Sequence, residues 1–124
     1  MIKNIICIIL FVGLWNCKNK KDVITGKYVG KYSFATEIVE LKEGGTYFHS
    51  FEYGSKKEEN TGKWKLETEN SEVRFVMWDW IEYFDTYTLE MNSPPRKTIL
   101  DTYCDGRMII MNPDRDDYNL YKLE

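Results

Sequence analysis

Two patterns of hydrophobicity divide this chain. From Ile5 to Trp15 the apolar residues follow one another with only Gly13 between them, and the run stops at Asn16-Cys17. From Thr25 onward apolar positions alternate with polar ones in short runs broken by turn residues. A period of two is that of strands with one face buried, whereas a helix would space its apolar positions three and four apart. The chain therefore reads as an apolar leader followed by an all-β domain.

The alternation can be followed strand by strand. Tyr28, Val29, Tyr32 and Phe34 favour a first strand, and Ile38, Val39 and Leu41 a second. Glu43-Gly44-Gly45 offers the positive-φ positions of a tight hairpin, and Thr46–Tyr53 continues as a third strand with Tyr47, His49, Phe51 and Tyr53 on one face. Gly54–Asn60 reads as a charged loop. Gly62–Glu67 carries Trp64 and Leu66 on one face, and Thr68–Ser71 is a turn. The run Glu72–Trp80 is apolar on both sides in its second half, with Val73, Phe75 and Met77 opposed to Val76, Trp78 and Trp80, as in a strand covered on both faces. Tyr83–Met91 alternates again through Tyr83, Tyr87, Leu89 and Met91 until Pro94-Pro95, which cannot donate to a ladder. Thr98–Cys104 and Arg107–Asn112 flank Asp105-Gly106, a type I′ hairpin pair. Pro113–Asp117 is a polar loop, and Tyr118–Leu123 closes the chain as a last strand. Beyond a helical turn near Asp79–Phe84 there is no amphipathic helix. About eight or nine strands with short connections predict an antiparallel meander, either a small barrel or a strongly curved sheet. Closure removes exposed edges and favours the barrel.

The leader has a different logic. Twelve of residues 1–16 are hydrophobic and Lys3 is their only charge. The 11-residue apolar run is shorter than the roughly 20 residues of a membrane-spanning helix. It has the length of a signal-peptide core behind a positive start. Composition changes at once after Cys17, where Lys18-Asn19-Lys20-Lys21 begins a polar tether. The expected organisation is a signal peptide over 1–16, Cys17 and a tether over 17–24, and a single domain over 25–124.

Separating the leader sharpens the composition. The mature chain would keep 108 of 124 residues, with 16 basic against 20 acidic side chains. Such a balance gives no basic stripe, so nucleic acid is not an expected partner. Of the three cysteines, Cys7 leaves with the leader, Cys17 stands at the leader's end and Cys104 is left unpaired as a small core residue. No disulfide framework follows. With one histidine and no C-x-x-C there is no thiolate or histidine metal motif, and no cofactor is expected.

Two resemblances attach to particular residues. Leu14-Trp15-Asn16-Cys17 resembles a bacterial lipobox, which implies lipid attachment, such as palmitate, at Cys17. Gly26-Lys27-Tyr28, Leu41-Lys42-Glu43-Gly44-Gly45-Thr46-Tyr47 and Thr61-Gly62-Lys63-Trp64-Lys65-Leu66 resemble, in that order, the segments of lipocalin-like lipoproteins common in Bacteroidetes-type bacteria. The resemblance implies a small lipocalin-like barrel in the cell envelope, anchored to the periplasmic side of the outer membrane, and no particular ligand.

Catalytic chemistry has little to stand on. His49 could pair with Glu52 or with an acid on a neighbouring strand, but G-x-S-x-G, H-E-x-x-H and a Gly-rich phosphate loop are all missing. The expected protein is not an enzyme. Asn112–Asp117 reads as a solvated turn, since it lacks the glycine and terminal glutamate of a calcium loop. The compositional excess is aromatic, with 17 such residues in the mature chain. Small barrels fill their interiors with such side chains. Trp78, Trp80, Phe84 and Tyr87 are the residues expected to line a ligand cavity or a partner-binding patch. Two functions are thus expected: a membrane-anchored module holding a small apolar or amphipathic ligand, or an inhibitor or immunity-type protein that meets another envelope protein through an aromatic surface.

Overall fold

The computed structural model describes residues 24–69, 72–84, 94–103 and 106–123. The leader 1–16, Cys17 with its tether up to Val23, Tyr87 with most of the expected Tyr83–Met91 strand, and Cys104-Asp105 lie outside the described residues. Eight antiparallel strands follow one another around a closed barrel: β1 (Gly26–Lys31), β2 (Thr36–Leu41), β3 (Thr46–Tyr53), β4 (Lys56–Glu69), β5 (Glu72–Trp80), β6 (Arg96–Thr102), β7 (Met108–Ile110) and β8 (Leu120–Lys122). Each strand pairs with its neighbour in sequence, and β8 returns to β1 through Tyr28↔Lys122 and Val29↔Tyr121. The all-β meander barrel expected from the alternation is the fold.

Several boundaries differ from the sequence reading. β1 ends at Lys31, and Tyr32–Ala35 is the hairpin loop, closed by a bond from Tyr32 N–H to the Ala35 carbonyl at 2.8 Å. Tyr32 and Phe34 are thus loop residues at the barrel rim. The charged stretch 54–60 is not a loop: Gly54-Ser55 alone makes the turn, and Lys56 already pairs with Tyr53. Hydrogen bonding to β3 overrides the polar composition, and Lys57 and Glu59 meet on the outer face at 3.3 Å. β4 is consequently long, pairing with β3 in its first half and with β5 in its second. At the β2–β3 hairpin, Glu43-Gly44-Gly45, only Gly45 takes a positive φ, at 86°.

At the chain's end, Thr102↔Ile109 is the register that a turn centred on Asp105-Gly106 produces, but the ladder stops at that pair. Gly106 N–H donates to the Tyr103 carbonyl at 2.9 Å. Tyr118 belongs to a 3-10 turn, Asp116–Tyr118, which precedes the shorter β8.

Core side chains come from every strand. Tyr28, Val39, Leu41, Tyr47, Trp64, Phe75, Met77, Leu100, Ile109 and Leu120 form one cluster with Ile24 and Trp80. It occupies the end where the chain enters at Ile24. Trp64 closes that end, donating its indole N–H to the Lys42 carbonyl at 2.9 Å while its backbone N–H binds the Gly45 carbonyl. A second cluster, Ala35, Phe51 and Tyr83 with Tyr32, Tyr53, Ile81 and Phe84, fills the opposite end. An eight-stranded barrel is about wide enough for its own side chains or one small ligand, so what lies between these clusters decides the function.

Candidate functional site

β2 and β3 supply the centre of the site. Their alternation turns Glu37, Val39 and Leu41 inward from one strand and Tyr47, His49 and Phe51 inward from the other. His49 stands opposite Val39, and Glu37 opposite Phe51, so Glu37 is diagonal to His49 across the ladder. Diagonal neighbours are within reach of long side chains. His49 Nε2 accordingly lies 2.6 Å from Glu37 Oε2, with both side chains buried. A carboxylate can only accept, so Nε2 carries the proton. The other carboxylate oxygen accepts the Tyr32 hydroxyl at 2.7 Å. Burial, and then the charge and hydrogen bond of Glu37, push the Tyr32 phenol far above the ordinary tyrosine range.

Trp80 reaches this group through a defect in β5. The register of β5 on β6 shifts by one residue between Met77 and Trp80, and Asp79 adopts a φ of 57°. One extra residue reverses the alternation beyond it. Trp78 therefore stays on the outer wall, 37% exposed, while Trp80 turns inward to 1%. The bulge frees two backbone carbonyls, and side chains capture both. Tyr47 donates to the Trp78 carbonyl at 2.7 Å and Asn60 to the Asp79 carbonyl at 2.7 Å. Gly62, opposite Tyr47, leaves the space through which the phenol passes. Burial, then Asp79 and Tyr83, raise the Tyr47 phenol above its ordinary range.

Inside, the His49 imidazole lies parallel to the Trp80 indole, with Tyr83 against it at 4.8 Å and 48°. Tyr83 also touches Phe51 at 5.9 Å. Glu58 pairs with Phe51 across β3 and β4 and shares its inward face. Burial first, then the negative charges of Glu58, Glu37 and Glu59, push the Tyr83 phenol up to about 12. Three carboxylates thus act on the phenol at that end of the barrel. Three enclosed polar atoms there, His49 Nδ1, Glu58 Oε2 and Tyr83 Oη, have no hydrogen-bond partner.

A second feature lies outside the barrel. Trp78, Thr46, Thr61, Gly62, Lys63 and Asp79 line an open groove of about 590 Å³ on the β3–β4–β5 wall. Lys97 stands over the Trp78 ring at 5.9 Å.

The four aromatics singled out in the sequence are therefore not gathered in one place. Trp78 and Trp80 face opposite sides of the wall. Phe84 packs at the rim on Phe34 at 4.7 Å and Tyr118 at 5.5 Å, and Tyr87 is outside the described residues. His49 pairs with Glu37, the acid on the neighbouring strand, rather than with exposed Glu52. The sequence reading passed over Glu37, Glu58 and Tyr32. A signal existed for Glu37, a charge at a core position in step with Val39 and Leu41. Among the described residues no group of three or more His, Cys, Asp or Glu side chains is placed to hold a metal ion.

Fold and interior together define an eight-stranded antiparallel meander barrel with a buried His–Glu–Tyr network. Comparisons with family models, curated proteins and solved structures gave no match.

Proposed function

We propose that this chain is an envelope lipoprotein, acylated at Cys17, whose barrel is a non-catalytic binding module for a small amphipathic ligand seated at the His49 end. The observation that carries the reading is the set of unpartnered atoms on His49, Glu58 and Tyr83 inside an aromatic shell. A buried polar group without a partner costs about 1–3 kcal/mol. A guest that bonds to it recovers that cost, while the rings receive its apolar part. Binding is preferred to catalysis because His49 is fully buried, with Trp80 stacked on its ring, Tyr83 packed against it and Nε2 engaged by Glu37.

The groove at Trp78 favours a second reading, in which the outer wall meets another envelope protein and the interior serves stability alone. Native mass spectrometry of the domain purified from its own host separates the two. A bound small molecule supports the first. An empty barrel with a co-purifying protein that is lost on Trp78→Ala supports the second. Anchoring is tested apart from either: Cys17→Ala should abolish incorporation of labelled palmitate and release the protein from the membrane fraction, and unchanged labelling would overturn the lipoprotein assignment.

A further inference from the structure

We infer that the enclosed polar cluster of His49, Glu58 and Tyr83 recognises the head group of a primary ammonium, the protonated end of a small organic amine. The inference rests on the ligand-binding reading above and adds the chemical class.

The number and kind of unpartnered atoms set the class of guest. Glu58 Oε2 accepts only. In the neutral imidazole, with the Nε2 proton donated to Glu37, His49 Nδ1 accepts. Tyr83 Oη accepts as well as donates. All three are enclosed and unpartnered. They belong to one neighbourhood: Tyr83 packs on both His49 and Phe51, and Glu58 is the cross-strand partner of Phe51. A primary ammonium brings three N–H donors, one for each atom. A quaternary ammonium brings none, an alcohol one, and a carboxylate only acceptors that would meet the charge of Glu58.

Electrostatics and packing agree with this choice. Glu37, Glu58 and Glu59 all raise the Tyr83 phenol, the sign of a field that favours a cation. Hydrogen bonds from a cation to a carboxylate are roughly twice as strong as neutral ones. Trp80, Tyr83 and Phe51 supply aromatic surface for a cation and its alkyl substituent. Each Glu37 oxygen already accepts a hydrogen bond, from Tyr32 and from His49, whereas Glu58 Oε2 has none, which makes Glu58 the carboxylate for the guest. Since the three atoms are covered, the rim residues around Tyr83 must move aside for entry, and binding should be slow.

The test is isothermal titration of the domain with n-butylammonium, n-butanol and n-butyrate, with folding of each variant checked by circular dichroism. n-Butylammonium should bind at least about tenfold more tightly than the other two, a difference of about 1.4 kcal/mol. Glu58→Gln, on the partly exposed strand β4, should remove that preference while the domain stays folded, and Tyr83→Phe should weaken binding several-fold. Equal binding of the three probes would overturn the ammonium assignment and leave the ligand-binding reading standing. Absence of binding by all three, together with no n-butylammonium at His49, Glu58 and Tyr83 in a crystal grown with it, would overturn both.

Discussion

The His49 imidazole lies on the Trp80 indole with ring centroids 4.0 Å apart and planes within 7°. The two residues come from strands separated by β4, and they meet only because the bulge at Asp79 turns Trp80 inward. The contact joins the apolar core to the polar network, since Glu37 holds the same imidazole by its edge.

Neighbouring tryptophans should therefore behave differently. Trp80→Ala removes a fully enclosed ring and should cost about 3–5 kcal/mol, whereas Trp78→Ala on the outer wall should cost below about 1 kcal/mol. Urea unfolding of the two variants checks this, and similar midpoints would contradict the assignment of the two rings to opposite sides.

Glu37 should couple to Tyr32. Tyr32→Phe in the native background removes the hydroxyl's bond to Glu37 and its longer contact with the Tyr118 carbonyl at 3.4 Å, and should cost about 1 kcal/mol. In a Glu37→Leu background the hydroxyl has lost its strong acceptor, so the same change should cost almost nothing or stabilise. A double-mutant cycle by chemical denaturation measures the difference, and additive effects would remove the network from the account.

The bulge makes its own predictions. A β-carbon on Gly62 would come under 3.0 Å from the Trp78 carbonyl oxygen and the Tyr47 phenol. Gly62→Ala should thus destabilise by roughly 1–3 kcal/mol. At Asp79, with its positive φ, replacement by Gly should be neutral or mildly stabilising and replacement by Val destabilising. Thermal unfolding that ranked Val above Gly at position 79 would refute the left-handed conformation.

Alkaline titration reports on the interior tyrosines. Tyr83 is raised from 10.0 to about 12, with Tyr32 and Tyr47 raised too. The folded state keeps these protons where the unfolded chain releases them. Their contribution to stability is therefore complete below pH 10 and lost as pH rises through the folded values, for Tyr83 between 10 and about 12. Phenolate absorbance should show a late-ionising fraction, reduced in Tyr83→Phe, and stability should fall with pH in that window.

The alternation of apolar residues was sufficient for the class of fold, because a sheet with one face buried imposes a period of two on its sequence. It also placed Tyr47, His49, Phe51 and Tyr53 on one face, and Trp64 with Leu66 on another. The charged segment at 56–60 escaped it, since partner hydrogen bonds rather than side-chain hydrophobicity make that segment a strand.

The site was less legible. The sequence by itself put His49 among aromatics and within reach of an acid on a neighbouring strand. Only the tertiary structure decided that the acid is Glu37, by a diagonal contact across a register that local sequence does not specify. Only the structure sent Trp80 inside and Trp78 outside, because a single residue in left-handed conformation inverts the strand's alternation without altering its pattern of residues. A period is a local property, readable from neighbours along the chain. Register, bulge and closure depend on which strands meet.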